Sequence, residues 1–204
     1  MKVLAMVGSL RRGSYNRMLL QAAQELKPKD MEIESGEIGD IPLYNEDVRE
    51  KGYPPSVQRL REQIRAADAV LFITPEYNYA IPGVLKNAID WASRPPEQPF
   101  DDKPAAIMGA SISRLGTARA QYHLRQSCVF LNMYPLNQPE VMVADAAKHF
   151  DGSGRFTDES GRKLIGQQLA NLETWVHRLS GGNPEGLDLS RRGKREERPG
   201  LQTK

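Results

Sequence analysis

Short apolar segments alternate with stretches of helical periodicity along this chain, and this alternation restricts the fold more than any other feature. The clearest apolar segment, residues 69–74, has five consecutive apolar residues and a threonine before Pro75. Its lack of polar alternation predicts a strand that is buried on both faces in the middle of a sheet. A repeated strand and helix order requires a parallel sheet covered by helices on both sides. The sequence therefore predicts an α/β fold.

Five strand and helix units can be placed on the sequence. The predicted strands are residues 2–7, 31–34, 69–74, 105–109 and 140–143. Apolar residues three and four apart predict a helix after each strand, and the strongest of these patterns runs from Ile81 to Ala92 before Pro95. The long connection that contains residues 41–44 separates the second strand from its helix and is expected to be a surface loop with a functional role.

Composition and charge favour one neutral globular domain followed by a tail. Of 28 basic and 26 acidic residues, six basic and four acidic ones fall in residues 183–204, which leaves 22 of each sign elsewhere. A neutral body gives no support to binding of nucleic acid. We therefore predict a folded domain over residues 1–182 and a charged, disordered and solvated tail over residues 183–204.

Several other classes of protein are disfavoured. The longest apolar runs are five residues, too short to cross a membrane, and the first apolar run is also too short for a secretory signal. Cys128 is the single cysteine and there are three histidines, so the sequence predicts neither an internal disulfide nor a metal site. These features suit a reducing cytoplasm, and Cys128 is interpreted as an inert core thiol.

The loop after the first strand has the composition of a phosphate site. Residues 8–16 read Gly-Ser-Leu-Arg-Arg-Gly-Ser-Tyr-Asn and lead into a predicted helix. Open backbone amides and the positive end of a helix dipole attract a phosphate, and hydroxyl and guanidinium groups add hydrogen bonds. The alternative is that Ser14 or Asn16 only caps the helix while Arg11 and Arg12 are solvated.

Other phosphate and hydrolase sites lack their motifs. The chain has no Gly-Lys-Ser/Thr for a nucleoside triphosphate and no G-x-G-x-x-G for a dinucleotide. Residues 109–113 miss the G-x-S-x-G nucleophile elbow. Because these motifs are missing, a mononucleotide is the favoured ligand. A signalling receiver domain is also excluded, since strands one and three end without its acidic cluster.

The loop after the third strand suits a planar heteroaromatic ring. Residues 74–83 read Thr-Pro-Glu-Tyr-Asn-Tyr-Ala-Ile-Pro-Gly, where two prolines stiffen the backbone and two tyrosines provide flat faces. Packing in a core or an interface is the alternative for an aromatic pair. Because ligands of doubly wound sheets bind outside the carboxyl ends of the strands, the position of this loop favours ring binding.

These motifs resemble a known family. Residues 8–16 and residues 75–91, which continue as Val-Leu-Lys-Asn-Ala-Ile-Asp-Trp after Gly83, are similar to the NADPH-dependent FMN reductase family. Residues 120–126, Ala-Gln-Tyr-His-Leu-Arg-Gln, resemble its bacterial quinone reductases, which are also called chromate reductases. The likeness extends over residues 2–180, whereas residues 113–117 depart from the glycine-rich stretch of relatives and leave the acceptor and nicotinamide preference open.

The resemblance implies a flavodoxin-like, doubly wound, five-stranded parallel sheet with the strand order 2-1-3-4-5. It also implies tightly bound FMN, NADPH or NADH as electron donor, two-electron delivery to quinones and, less specifically, to chromate, azo or ferric acceptors, and assembly as a homodimer or homotetramer. The cofactor-binding residues that it implies are Ser9, Arg11, Ser14, Tyr15 and Asn16 around the phosphate, Pro75, Glu76, Tyr77, Asn78 and Tyr79 around the ring, and Ser111 on the ring or ribityl side.

The expected mechanism alternates the two substrates: the reduced nicotinamide stacks on the flavin, transfers a hydride and leaves before the acceptor binds. The cofactor supplies the chemistry, and no side chain is predicted to be catalytic. Glu76 has two interpretations, a proton relay or a structural role in the loop. Asp90 and Trp91 are interpreted as packing or oligomer contacts and His123 as an interface residue. The alternative function is a flavodoxin-type electron carrier that does not oxidise NAD(P)H itself.

Overall fold

The structure is a computed structural model, and it describes residues 1–181. The predicted domain boundary at residue 182 and the predicted tail therefore lie outside the described residues. The strands are β1 (Lys2–Val7), β2 (Glu32–Gly36), β3 (Ala69–Ile73), β4 (Pro104–Ala110), β5 (Tyr134–Pro135) and β6 (Val141–Val143). The helices are α1 (Tyr15–Leu26), α2 (Glu46–Arg49), α3 (Pro55–Ala66), α4 (Gly83–Ala92), α5 (Ala118–Phe130) and α6 (Glu159–Leu179), with a 3-10 turn at Ala146–Lys148.

The strands form one parallel sheet in the order β2-β1-β3-β4-β5, with β6 also paired to β4. This arrangement confirms the predicted α/β class and the strand order 2-1-3-4-5. Every residue of β3 is buried, as its uninterrupted apolar run predicts, because helices cover both faces. Helices α1 and α6 pack on one face and α3, α4 and α5 on the other.

The fifth position of the sheet differs from the prediction because two short strands share it. Strand β5 pairs with the beginning of β4, and β6, which overlaps the predicted strand, pairs with its end. Between them stands Pro139, which cannot donate a ladder hydrogen bond. Two buried glutamines occupy the gap: Gln168 Nε2 donates to Ile107 O at 3.1 Å and Pro139 O at 2.8 Å, and Gln121 Nε2 donates to Val141 O at 2.9 Å.

The long connection after β2 contains the short helix α2, which the sequence did not predict, and packs on α4. The Tyr44 amide donates to Asn87 Oδ1 at 2.8 Å, and Trp91 Nε1 donates to Pro42 O at 2.8 Å. Helix α4 begins at Gly83 instead of Ile81, because Pro82 lies in extended backbone as the N-cap. Trp91 is fully buried, and Asp90 accepts from Lys86 Nζ at 2.7 Å.

Within residues 1–181, no helix combines the length and apolar character that a membrane crossing requires. The same residues contain no cluster of three or more potential metal-ligating side chains.

Candidate active site

Three loops meet at the carboxyl edge of the sheet. The first loop (residues 8–14) follows β1, the second loop (residues 74–82) follows β3, and the third loop (residues 111–117) follows β4. Backbone hydrogen bonds join their bases, since the Gly8 amide donates to Ile73 O at 2.9 Å and the Thr74 amide donates to Met108 O at 3.0 Å. The predicted site residues are thus brought to one edge, as the parallel topology requires.

The first loop presents a series of unpaired backbone donors. The backbone amides of residues 9–15 have no hydrogen-bond partner within residues 1–181. Ser14 is the N-cap of α1, and its hydroxyl accepts from the Asn16 amide at 3.2 Å. Ser9 and Ser14 are both buried. Because the loop ends at the positive end of a 12-residue helix, it is suited to bind an anion.

Arg11 folds back over the first loop. Its guanidinium donates to Gly13 O and lies 5.6 Å from the centroid of the Tyr15 ring. That ring packs on Phe150, with 5.3 Å between the centroids. The charge of Arg11 is therefore held beside the free amides by an aromatic support that extends to the segment before α6.

Asn16 joins the first loop to the third. Its Nδ2 donates to Ala110 O and its Oδ1 accepts from the Ala110 amide, both at 2.9 Å. Both polar atoms of the side chain are therefore used by the backbone at the end of β4, directly before Ser111. The Ser111 amide in turn donates to Val143 O at 2.9 Å. This arrangement places Asn16 as a brace between the loops, and its predicted contact with phosphate stays a prediction.

The second loop ends in a tight turn that exposes two tyrosines. Tyr77 and Ala80 exchange two backbone hydrogen bonds of 3.0 Å, and the residues between them, Asn78 and Tyr79, have φ values of 50° and 68°. Positive φ at both central residues is the requirement of a type I′ turn. For a tyrosine this conformation costs about 1–2 kcal/mol. Such strain persists only where the surroundings hold it, and it is concentrated at functional sites.

Glu76 points away from the exposed face of the second loop. Its carboxylate accepts from the backbone amides of Arg119 and Ala120 at 3.0 and 3.2 Å and from Arg119 Nε at 2.5 Å. The side chain of Glu76 is only 4% exposed. The guanidinium of Arg119 lies 3.6 Å from the centroid of the Tyr79 ring, so three residues link the turn to the beginning of α5.

Arg119 is a site residue that the sequence reasoning missed. An arginine in the first turn of a helix faces the positive end of the helix dipole, which disfavours it unless a carboxylate compensates. The unfavourable position of Arg119 in the first turn of α5 is the sequence feature that could have indicated a carboxylate partner. Phe150, which supports Tyr15, was also missed, because nothing in the local sequence relates it to the first loop.

The third loop is closed by its own hydroxyls. Ser113 N and Ser113 Oγ each lie 3.2 Å from Ser111 Oγ, and Ser113 Oγ also donates to Gly116 O at 3.2 Å. Gly116 has a φ of 57° and lies against Met142, which accounts for glycine at this position. Elsewhere, burial raises the pKa of the Cys128 thiol to about 11, and His123 is exposed on α5.

A flavodoxin-like sheet with a first loop suited to an anion and an aromatic second loop is typical of a mononucleotide-binding α/β protein. Residues 1–148 match the sequence profile of the NADPH-dependent FMN reductase family. The chain is 64% identical to an NAD(P)H-dependent FMN reductase of Pseudomonas aeruginosa over 180 residues, which cover 88% of this chain and 97% of that protein. It is 50% identical to a quinone reductase of Escherichia coli over 182 residues, with coverage of 88% and 97%.

A solved structure agrees with these relatives. FerB, a flavoenzyme NAD(P)H:(acceptor) oxidoreductase from Paracoccus denitrificans, is 38% identical and superposes with a TM-score of 0.80 over 87% of this chain and 97% of that chain. The chain belongs to the NADPH-dependent FMN reductase family. The predicted family, the flavodoxin-like fold, the oxidoreductase class and the cofactors FMN and NAD(P)H are confirmed.

The residues at the carboxyl edge fit FMN. The unpaired amides of residues 9–15 and the guanidinium of Arg11 suit a phosphate dianion. The amides of Glu76, Asn78 and Tyr79 likewise have no hydrogen-bond partner within residues 1–181, and they stand beside exposed tyrosine rings. Polar donors next to flat apolar faces suit a ring with a polar rim.

Proposed function

We propose that this protein is an FMN-dependent NAD(P)H:quinone oxidoreductase that binds FMN across its three loops. The observation that carries the proposal is the series of unpaired amides of residues 9–15 beside Arg11, one strand away from the strained tyrosine turn of the second loop. The quinone reductase of Escherichia coli, 50% identical, supports quinones as acceptors.

Each loop has a distinct part in the proposed site. Ser9, Arg11, Ser14 and Tyr15 surround the phosphate, with Asn16 at the base of the loop. Pro75, Glu76, Tyr77, Asn78 and Tyr79 form the ring loop, and Ser111 stands on the ring or ribityl side. Within the second loop, the exposed faces of the tyrosines and the free backbone amides are the groups available to a ligand, because the Glu76 carboxylate is bound to α5.

Bound FMN supplies hydride acceptance from reduced nicotinamide and two-electron delivery to an acceptor. The protein binds and orients: the first loop neutralises phosphate charge, and the amides of Glu76, Asn78 and Tyr79 stabilise negative charge on a ring held against them. The tyrosine faces exclude water from one side of the site. No side chain is assigned as a proton donor.

Chromate, azo compounds and ferric complexes are proposed as less specific acceptors, because no protein side chain is required for the chemistry. A homodimer or homotetramer is proposed, and it accords with the exposure of Val129 and Phe130 on α5. A cytoplasmic location accords with a single, buried cysteine.

The full-length protein should be yellow after purification and should release FMN, in a ratio close to one per chain, on denaturation. It should also oxidise NADPH or NADH when 1,4-benzoquinone is added. A yellow protein that reacts only in the presence of a separate reductase would instead be a flavodoxin-type electron carrier. A colourless protein whose thermal unfolding FMN does not shift would contradict the proposal. Parallel rates with NADH and NADPH establish the nicotinamide preference.

Arg11→Ala should weaken FMN binding by about 1.5–3 kcal/mol, or roughly ten- to a hundredfold, because it removes a charge-assisted bond to phosphate. The dissociation constant is measured by quenching of flavin fluorescence. Arg12→Ala is the control, since the adjacent Arg12 is exposed and has no hydrogen bond or ion pair within residues 1–181. An Arg11→Ala affinity equal to that of the unsubstituted protein would place Arg11 in solvent and not at the phosphate.

A further inference from the structure

The carboxylate of Glu76 completes the beginning of a helix that has no cap of its own. Thr117, the N-cap of α5, makes no side-chain hydrogen bond to the helix backbone, and its hydroxyl accepts from Gln121 Nε2 at 2.9 Å. The first-turn amides of Arg119 and Ala120 instead donate to Glu76, which lies more than 40 residues earlier in the chain. Glu76 therefore performs the capping function from another loop.

The same carboxylate fixes the direction of Arg119. Arg119 Nε donates to Glu76 Oε1, and the two side chains form an ion pair. Because the carboxylate is almost fully buried, its position is fixed, and it holds the guanidinium in one direction. Its flat face then lies on the Tyr79 ring at 3.6 Å from the centroid, within the range of a cation–π contact.

Tyr79 is the residue that needs this support. It has a φ of 68° in the turn of the second loop and is 70% exposed, so few contacts other than Arg119 restrain its ring. A strained and exposed residue keeps one conformation only when its neighbours determine it.

We propose that Glu76 is a positioning residue, which caps α5 and lays Arg119 on Tyr79 so that the second loop keeps the conformation that the flavin ring and the acceptor meet. This inference rests on the proposed function. It assigns Glu76 no contact with the flavin and no proton transfer, since its carboxylate oxygens are occupied by the backbone and side chain of α5. Arg119 acts in the same chain of contacts.

The test compares Glu76→Gln, Arg119→Met and the double variant in the full-length protein. An amide accepts fewer hydrogen bonds than a carboxylate and lacks its charge, whereas methionine retains apolar contact with the tyrosine. Each single variant should raise the KM for 1,4-benzoquinone about tenfold with kcat changed less than about threefold. The KM of the double variant should not exceed that of the more impaired single variant, because both changes interrupt the same contacts.

Asp158→Asn is the matched control. Asp158 caps α6 through the Ser160 amide at 3.1 Å, outside the three loops, so its substitution weakens a helix cap without touching the second loop. It should leave both the dissociation constant of FMN and the KM for the quinone within about twofold of the original. Urea unfolding of each apo-protein verifies that all variants are folded.

The outcomes separate this inference from the proposed function. If the unsubstituted protein does not bind FMN, the proposed function fails whatever the variants do. If it binds FMN but Glu76→Gln leaves the KM unchanged, the positioning role is wrong. A fall in kcat with an unchanged KM in Glu76→Gln alone would also overturn it, since that result indicates a proton donor, and Arg119→Met would not reproduce it.

Discussion

Gly109→Ala is expected to lower the free energy of unfolding by about 3 kcal/mol, because one added methyl group has no space at this position. A Cβ at residue 109 would lie 2.2 Å from Thr74 O and 2.3 Å from Thr117 Oγ1. Neither atom is free to move: Thr74 belongs to the backbone that leaves β3, and the hydroxyl of Thr117 accepts from Gln121.

The same substitution should weaken FMN binding at least about tenfold in the protein that still folds. The clash would separate the end of β3 from the beginning of α5, and these are the two places that Glu76 joins. The second loop would then lose its fixed relation to the first. A close approach of backbone to backbone is the physical reason for glycine here, and it does not involve a positive φ.

Urea unfolding of the apo-protein and fluorescence titration with FMN measure the two effects. Gly83→Ala is the control, since a Cβ at Gly83 meets no atom of residues 1–181 within 4 Å and the residue begins α4, where alanine favours the helix. We expect Gly83→Ala to equal or slightly exceed the original stability. If the free energy of unfolding of Gly109→Ala lay within about 0.5 kcal/mol of the original, the ends of β3 and β4 would separate without cost, contrary to this prediction.

The sequence contains enough information for the sheet but not for its fifth position. Buried parallel strands such as β3 are visible as apolar runs, and α1 and α4 as regular apolar spacings, because burial on a face imposes that pattern. The division between β5 and β6 is not visible in this way. It depends on Gln168 and Gln121, whose amides replace ladder hydrogen bonds from two different helices, and such long-range substitution leaves no local pattern.

The candidate site was predictable in its loops and not in its contacts. Positions at the carboxyl ends of parallel strands identify the loops without knowledge of any side chain. The directions of side chains are set by tertiary neighbours: Asn16 turns to Ala110 and Glu76 to α5, although both are polar residues in or next to loops that suit a ligand. Residue type and position therefore identify a site, whereas the division between ligand contacts and supports requires the structure.

Arg61 is a core residue whose contacts are likewise not predictable from the sequence. It lies on α3 in a pattern that looks like an exposed helix face, yet it is 2% exposed. Its guanidinium donates to four backbone carbonyls at the end of α4 and just after it: Ala92 O at 2.6 Å, Arg94 O at 2.8 Å, Pro96 O at 2.7 Å and Glu97 O at 3.1 Å. It also stacks on Tyr53 at 4.3 Å from the ring centroid.

Arg61→Met should therefore lower the free energy of unfolding by about 4 kcal/mol, since it removes four hydrogen bonds of about 1 kcal/mol each, one to a buried carbonyl and three to part-buried ones. Burial lowers the pKa of the Arg61 guanidinium, but arginine remains charged at neutral pH, and the carbonyl dipoles at the helix end stabilise that charge. Methionine has a comparable apolar stem and no donor, so the loss reports the hydrogen bonds more than the packing.

Arg65→Met, one turn further along α3, is the matched control. Arg65 is partly exposed and pairs at 3.6 Å with Glu97, whose side chain is exposed, so its removal should change stability by less than about 0.5 kcal/mol. Urea unfolding followed by circular dichroism measures both variants. Equal stabilities would show that the carbonyls around Arg61 find water instead.

The affinity for FMN should distinguish the Arg61→Met variant from the Gly109→Ala variant. Helix α4 has 10 residues, which places its anchored end about 15 Å from the second loop, so the folded Arg61→Met protein should bind FMN within about threefold of the original. Gly109→Ala should lose affinity as well as stability, because it acts where the loops join. If Arg61→Met lost FMN affinity to the same extent, the two ends of α4 would be coupled, and the loops would depend on the whole helix layer and not on their own contacts.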